Sequence, residues 1–572
     1  MKQLHQLFLK IPNTTLILLI ALVYLYFMND MMLRTTGDEK TYISQALEMQ
    51  RDGSWFLQTW ADESDYYKGP LHFILLRVGF MLFGQESMFA TLYMNFFGLI
   101  VATLLLHRML KEHLNDPSWA LFYAGSFATS IGLYAHMFAS QMEAELVILY
   151  AMTLYLLWKL DHDERWRAHL LLWSVIGLAG WLKSPAHSVF LAFSVLLYWI
   201  MSSQWRMRLK HSKVWWALLW GIGIGIAGYL PILIYDSEPF INNYIIKESL
   251  NKGPNGVGWE TAFFPLFTYF LAPWMFAFVF ALLLGVRTLF QKGNSLLHVK
   301  ELTLVKLALA IIIPTLLFFT FHPYRGDIYA LPAVSSSMLI GIIYWRVYIK
   351  NYTETFKWLL RTSALVLSIV PVGIIVMVIH FDPLPQWWPD SLIYFAVLGG
   401  LSTLVFTFYE SRHLLKRGPA LLIIAFIPLY WTLGIALESF GKAEMIDLEN
   451  YIKNSEKSKP IGYYNVRRNV WSEYGYLNFW VEHRIVGIHT KASLLEWLAE
   501  GKAVIIPGER SYRHFKETLG EHKNSLHVIP WRRWLTHGKT ASGESRFMEF
   551  WQSKDIRSIE QNFYIVSFKE SL

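Results

Sequence analysis

Residues Arg34–Leu71 read RTTGDEKTYISQALEMQRDGSWFLQTWADESDYYKGPL, a charged stretch set directly behind the long apolar segment 13–30. Charge beside a bilayer is costly unless it is paired, solvated or used for chemistry. Thr36–Glu39 has the T-x-x-E spacing of a capping box, which predicts a helix starting at Asp38. On that helix Asp38 and Tyr42 lie four apart and share a face. Lys68 closes the stretch just before the next apolar run. Two readings compete: an acidic first turn that complements the helix dipole, or a carboxylate held at a membrane interface for chemistry.

Working outward, 54% of the 572 residues are hydrophobic and only 16% are charged, with a mean hydropathy of +0.31. That balance describes a polytopic membrane protein. No small-residue cleavage site follows 13–30 and many apolar runs do, so it reads as a retained first helix, not a signal peptide. Cysteine is absent, which excludes disulfides, thiolate metal sites and a cysteine nucleophile. The net charge of +8 sits largely in short loops, as membrane topology requires, so no nucleic-acid partner is implied.

Thirteen apolar runs are of spanning length: 13–30, 87–107, 118–137, 144–160, 168–182, 187–202, 214–235, 263–286, 303–321, 327–345, 358–380, 391–409 and 418–438. The shorter run His72–Phe83 predicts a helix lying in the interface or re-entering it. With the N-terminus inside, Lys and Arg fall in every inner loop, among them Arg108, Arg165, Lys210, Arg287, Arg346 and Lys416, while 138–143 and 381–390 hold none. This satisfies the positive-inside rule and puts the long loops 34–71 and 236–262 outside. From about Ser439 the composition turns to that of a soluble domain. IGYY (461–464), RIVGIH (484–489), AVIIP (503–507), LHVIP (526–530) and FYIVSF (563–568) predict strands. LLEWLAEGK, with Ser493 as N-cap, and SYRHFKETLGEH predict helices between them. The expected organisation is a membrane domain over 1–438 and an outer α/β domain over 439–572.

Several familiar patterns carry little weight. GIGIGIAG at 221–228 resembles a phosphate loop but lies inside an expected span, where Gly221 and Gly225 favour close helix packing. Asp161-His162-Asp163 is a D-x-D triplet in an inner loop and reads as solvated. His72, His136, His187 and His322 lack metal-ligand spacing, so a divalent metal is left open and unsupported. What remains is a set of charges at the outer ends of many spans: Glu143 and Glu145 in QMEAEL, Lys183 in WLKSP, Lys247, Glu248 and Lys252 in the long loop, and Arg325, Asp327 and Tyr329 in YRGDIYALP. Clustered on one face, they imply a polar cavity with cations suited to a phosphate and carboxylates suited to a base.

The ordered set GDEKTY, MQRDGSWF, YYKGPLHF, QMEAEL, GLAGWLKSP, YFLAPWMF and RGDIYALP resembles the GT-C class of lipid-linked-sugar glycosyltransferases. It is most similar to the aminoarabinose transferase and protein O-mannosyltransferase superfamily, over roughly 1–345. The resemblance implies a GT-C fold and an inverting transfer at the periplasmic face of a bacterial inner membrane. The donor it implies is an undecaprenyl-phosphate sugar, with a lipid or protein as acceptor. It makes Asp38 and Glu39 the catalytic carboxylates, and Lys68, Lys183 and Arg325 the donor-phosphate ligands. Tyr42, Tyr67, Glu143, Glu145 and Tyr329 become substrate contacts. No cofactor is certain, a divalent metal stays open, and the expected state is a monomer among membrane lipids. The sequence departs from the family at Thr41, at Lys68-Gly69-Pro70-Leu71, at Leu182-Lys183-Ser184-Pro185 and at Tyr67, where many members carry Glu. These departures bear on the sugar, the acceptor and any metal. The rivals are a flippase of lipid-linked sugars, which calls for internal repeats and mid-span charges, and a polymer ligase, which needs no Asp-Glu pair after the first span.

Overall fold

The computed structural model describes residues 38–85, 87–162, 164–251, 269–289 (except 273), 297–321, 327–380, 460–464, 485–507, 524–532 and 560–568, with scattered positions in 14–25, at 407 and in 512–517. The first helix with described bounds, α1, is Glu39–Arg51. A small hairpin, β1 (Thr59–Trp60) and β2 (Glu63–Ser64), leads into α2, Pro70–Phe83. Helix α2 is the short helix expected before the second span, opened by a proline at its first position, where no N–H is needed.

Helices then follow the apolar runs because local signals stop each one. Helix α3, Met88–Leu114, ends at left-handed Asn115. Asp116 caps α4, Pro117–Ala128, by accepting from the Ser118 and Trp119 amides. A break at Thr129–Ser130 divides the expected third span, and α5 resumes over Ile131–Met137. Next come α6, Met142–His162, α7, Trp166–Leu182, and α8, Pro185–Met201. They are followed by α9, Ser212–Ala227, and α10, Leu230–Tyr235. The long outer loop begins with a single turn over Ser237–Phe240 and a π-helix over Ile241–Leu250. Helices α11, Met275–Leu289, α12, Val299–Phe321, α13, Val334–Tyr348, and α14, Thr353–His380, complete the described bundle. A 3-10 segment, Asp327–Ala333, precedes α13.

Among the described residues, three helices are long and apolar enough to cross a membrane: Met88–Leu114, Val299–Phe318 and Tyr329–Tyr348. Several of the other expected spans are shorter helices, and 391–409 (apart from 407) and 418–438 lie outside the described residues. Trp215, Trp216, Leu219 and Trp220 project outward from α9, exposed, a face that suits lipid and not water.

The described C-terminal strands are β3 (Ile461–Tyr464), β4 (Ile485–Ile488), β5 (Val504–Pro507), β6 (Asn524–Arg532) and β7 (Glu560–Phe568). They form one mixed sheet in the order β4-β3-β5-β7-β6, parallel across the first three strands and antiparallel beyond. Helix α15, Lys491–Ala499, bridges β4 and β5.

Two local expectations need correction. The N-cap of α15 is Thr490, with Ser493 as the reciprocal member of its capping box, because the helix starts a turn earlier than its apolar residues suggest. Gly221 and Gly225 do serve close helix packing as expected: a Cβ at Gly221 would strike the Trp173 backbone, and one at Gly225 would touch the Gly177 backbone. Asp161 is no solvated loop residue: it accepts from Tyr198 and pairs with Arg208 at 3.3 Å, tying two helix ends together.

Candidate active site

Asp38 occupies the N-cap position of α1, yet its side chain makes no capping hydrogen bond. Its Oδ2 instead accepts from the Tyr42 hydroxyl at 3.0 Å and the Tyr67 hydroxyl at 3.3 Å. A cap would bond the amides one turn in, so this carboxylate is aimed away from the helix end. Burial, and then the Asp38 charge on its hydroxyl, hold Tyr42 well above the ordinary tyrosine range. Tyr42 is therefore a neutral phenol that donates, and Asp38 is the acceptor. Its ring stands edge-on to His72 at 5.4 Å and to Phe73 at 5.8 Å.

Glu39 behaves differently from the capping-box expectation. It is fully buried, and its Oε1 accepts from the Ser140 amide at 2.6 Å; Thr36, the other half of the box, lies outside the described residues. Asn95 donates to the Met137 and Ala139 carbonyls in the same turn. Glu39 thus ties the start of α1 to the turn that leads into Glu143 and Glu145.

The strap from the hairpin to α2 is held by α1. Gln45 donates to the Asp65 carbonyl at 2.9 Å, and Gln58 to the Lys68 carbonyl at 3.4 Å. Tyr66 donates to Asp236 at 2.6 Å, and burial together with that bond pushes its hydroxyl above the usual range. The Lys68 Nζ lies 3.8 Å over the Tyr67 ring and 3.8 Å from Glu248. Gly69 then meets the WLKSP segment, its amide facing the Lys183 carbonyl at 3.4 Å. A Cβ at Gly69 would collide with the Trp181 carbonyl. The two lysine motifs are therefore joined through backbone.

Lys183 donates to Glu143 at 2.6 Å and lies 4.6 Å over the Tyr329 ring, with the ion pair about one-tenth exposed. Glu145 turns elsewhere: both its oxygens meet the His72 Nδ1, at 3.0 and 3.1 Å, in the core. The structure thus gathers Asp38, Tyr42, Tyr67 and Lys68, and beside them Glu143, Lys183 and Tyr329. Arg325 lies outside the described residues. Sequence reasoning missed the pairing roles of His72, Asp236 and Glu248, and it missed Tyr229 and Tyr244. Their signal was faint: polar residues at the outer ends of spans. Among the described residues, no three His, Asp or Glu side chains assemble as metal ligands.

An apolar cavity of about 620 Å³ lies between α7, α8 and α9. Tyr229, Phe240 and Tyr244 line it, as do Gly177, Gly221 and Gly225. Tyr229 donates to the Gly180 carbonyl at 2.6 Å and Tyr244 to the Lys183 carbonyl at 3.2 Å. The aromatic end of the cavity is therefore fastened to the backbone that presents Lys183.

This geometry makes Gly69→Ala disruptive. The added methyl meets backbone, which cannot yield as a side chain can, and overpacking of this kind costs about 1–3 kcal/mol. The thermal unfolding temperature should fall by a few degrees; an unchanged value would mean that the Trp181 backbone can yield.

Residues 67–235 match the family model for dolichyl-phosphate-mannose-protein mannosyltransferases. No curated protein sequence matches. Among solved structures, ArnT from Cupriavidus metallidurans in the apo state superposes with a TM-score of 0.69 at 14% identity, covering 90% of this chain and 95% of that one. The same protein bound to undecaprenyl phosphate gives 0.65 at 13% identity, covering 96% and 97%. At such identities the likeness is one of fold.

Proposed function

We propose that this chain, a member of the GT-C superfamily that unites the aminoarabinose transferases with the protein O-mannosyltransferases, is an integral membrane glycosyltransferase using a polyprenyl-phosphate sugar donor. One observation carries the reading: an apolar cavity of about 620 Å³ is fastened at its aromatic end to the Lys183 backbone, and that backbone is joined through Gly69 to Lys68, Tyr67 and Asp38. A long isoprenoid tail suits the cavity, and the phosphate at its head then meets two lysines. Undecaprenyl phosphate bound to ArnT of the same fold supports that class of donor.

In this mechanism Lys68 turns from Glu248 to the donor phosphate, and Lys183, held by Glu143, adds the second positive charge; by resemblance Arg325 joins them. Asp38, oriented by Tyr42 and Tyr67, faces the anomeric carbon from the side opposite the phosphate. The acceptor oxygen bonds to that carbon and the carbon–phosphate oxygen bond breaks. The polyprenyl phosphate leaves with the electron pair; Asp38 takes the proton of a hydroxyl acceptor, or orients a phosphate acceptor that is already ionised, and the configuration inverts. Glu39 serves as the tie that keeps Asp38 over Glu143. The favoured acceptor is a lipid on the periplasmic side of a bacterial inner membrane, in the manner of aminoarabinose transfer to lipid A. The mannosyltransferase match over 67–235 favours a protein acceptor as the second reading.

Orientation is tested by reporter fusions. Fusions after Arg165, Lys210 and Lys416 should report inside and those at Gly53, Gly253 and Gly501 outside; an outside signal at Lys210 would invert the site. Lys68→Ala should weaken donor use about 10- to 100-fold with folding retained, the range for losing one charge-assisted contact of roughly 1.5–3 kcal/mol. Unchanged transfer at limiting donor would remove Lys68 from the phosphate site.

A further inference from the structure

The hairpin ahead of the active-site strap is closed by a turn that cannot hold itself. Trp60 pairs with Glu63, so the loop is two residues, Ala61 and Asp62, and both have positive φ, 54° and 67°. Such turns favour Asn-Gly because left-handed backbone penalises a Cβ. Here the missing preference is supplied from outside. The buried Glu48 carboxylate of α1 accepts from the Ala61 amide at 3.0 Å and the Asp62 amide at 3.3 Å. Arg51 reaches the Asp62 carboxylate at 2.6 Å. From the C-terminal sheet, His489 donates through Nε2 to the Ala61 carbonyl at 3.0 Å and lies 4.0 Å from Glu63. Gly487 of β4 permits that approach, since a Cβ there would strike the Ala61 Cβ.

The chain then runs from the turn to Asp65, which Gln45 grips, and on to Tyr67 and Lys68. Residues 38, 42, 45, 48 and 51 fall on successive turns of α1: the first two make the site, the other three hold the strap. We propose that the Ala61–Asp62 turn is the point through which the C-terminal sheet sets the strap, with Glu48 and His489 acting as positioning residues for Tyr67 and Lys68. The kinetic half of this inference rests on the transferase reading above; the structural half does not.

The test uses the full-length protein in nanodiscs and reads hydrogen–deuterium exchange across 59–68 beside transfer kinetics at varied donor. In His489→Ala, and independently in Glu48→Ala, exchange across 59–68 should quicken about tenfold or more while α3 and α6 keep their protection. The donor KM should rise about five- to thirtyfold with kcat within about threefold, because Tyr42, on α1 itself, still holds Asp38 when Tyr67 and Lys68 loosen. Adding Ala61→Asn with Asp62→Gly to His489→Ala builds a turn that holds itself, and should restore both protection and KM. Unchanged exchange across 59–68 in His489→Ala, or absence of rescue, overturns the proposal. A wild-type protein that transfers no sugar overturns the transferase reading instead, and the exchange result still decides the coupling.

Discussion

Asp38→Asn should lower sugar transfer by about two to four orders of magnitude, the usual scale for a positioned acid or base. Asparagine is as good an N-cap as aspartate, and Asp38 makes no capping bond that could be lost. The change keeps one acceptor oxygen for Tyr42 and Tyr67, so the loss in stability is at most about one neutral hydrogen bond, roughly 0.5–1.5 kcal/mol. What disappears is negative charge and basicity at the atom on which two phenols converge, the buried Tyr42 and the half-buried Tyr67. Glu39→Gln should do far less, because glutamine still accepts from the Ser140 amide. The measurement is transfer by purified variants, normalised to folded protein. Near-normal turnover by Asp38→Asn would pass the catalytic role to Glu143.

Lys183→Met produces the second large effect, and by two routes. It strands Glu143 in the bundle without its cation, and breaking a buried pair in that way costs about 3–5 kcal/mol. In the proposed mechanism it also removes a positive charge from the donor phosphate. Adding Glu143→Leu separates the routes, since replacing both members of a buried pair with apolar residues is often neutral in stability. The double variant should regain wild-type thermal stability in detergent while transfer stays at least about tenfold down. Recovery of both stability and transfer would make the pair purely architectural.

The bundle was readable because a span must be long and apolar, and such runs leave a signal that survives any tertiary context. The C-terminal strands were readable for a related reason: IGYY, AVIIP and FYIVSF are β-branched and aromatic runs bounded by polar residues, and the strands at 461, 504 and 560 fall on them. The gathering of charges at one face was also visible, because the cost of charge near hydrocarbon makes each one notable. The partnerships were not. Lys183 finds Glu143 across 40 residues and His72 finds Glu145 across 73, and such distances leave no spacing to read. Glu39 shows how a local pattern misleads: a glutamate three residues after a threonine satisfies the capping rule, yet a buried turn 101 residues away claims its carboxylate. The division of 118–137 at Ser130 escaped notice because serine and threonine are tolerated within apolar helices, so a break there looks like a continuation.

Release of polyprenyl phosphate tests the central claim most directly. Purified protein in nanodiscs, given a panel of polyprenyl-phosphate sugars and an envelope-lipid extract as acceptor, is followed by mass spectrometry. Wild-type protein should convert one donor to free polyprenyl phosphate with a matching glycosylated lipid, and Asp38→Asn should leave that donor intact. Movement of intact donor between leaflets, with no polyprenyl phosphate released by folded wild-type protein, would contradict the account and favour a transporter.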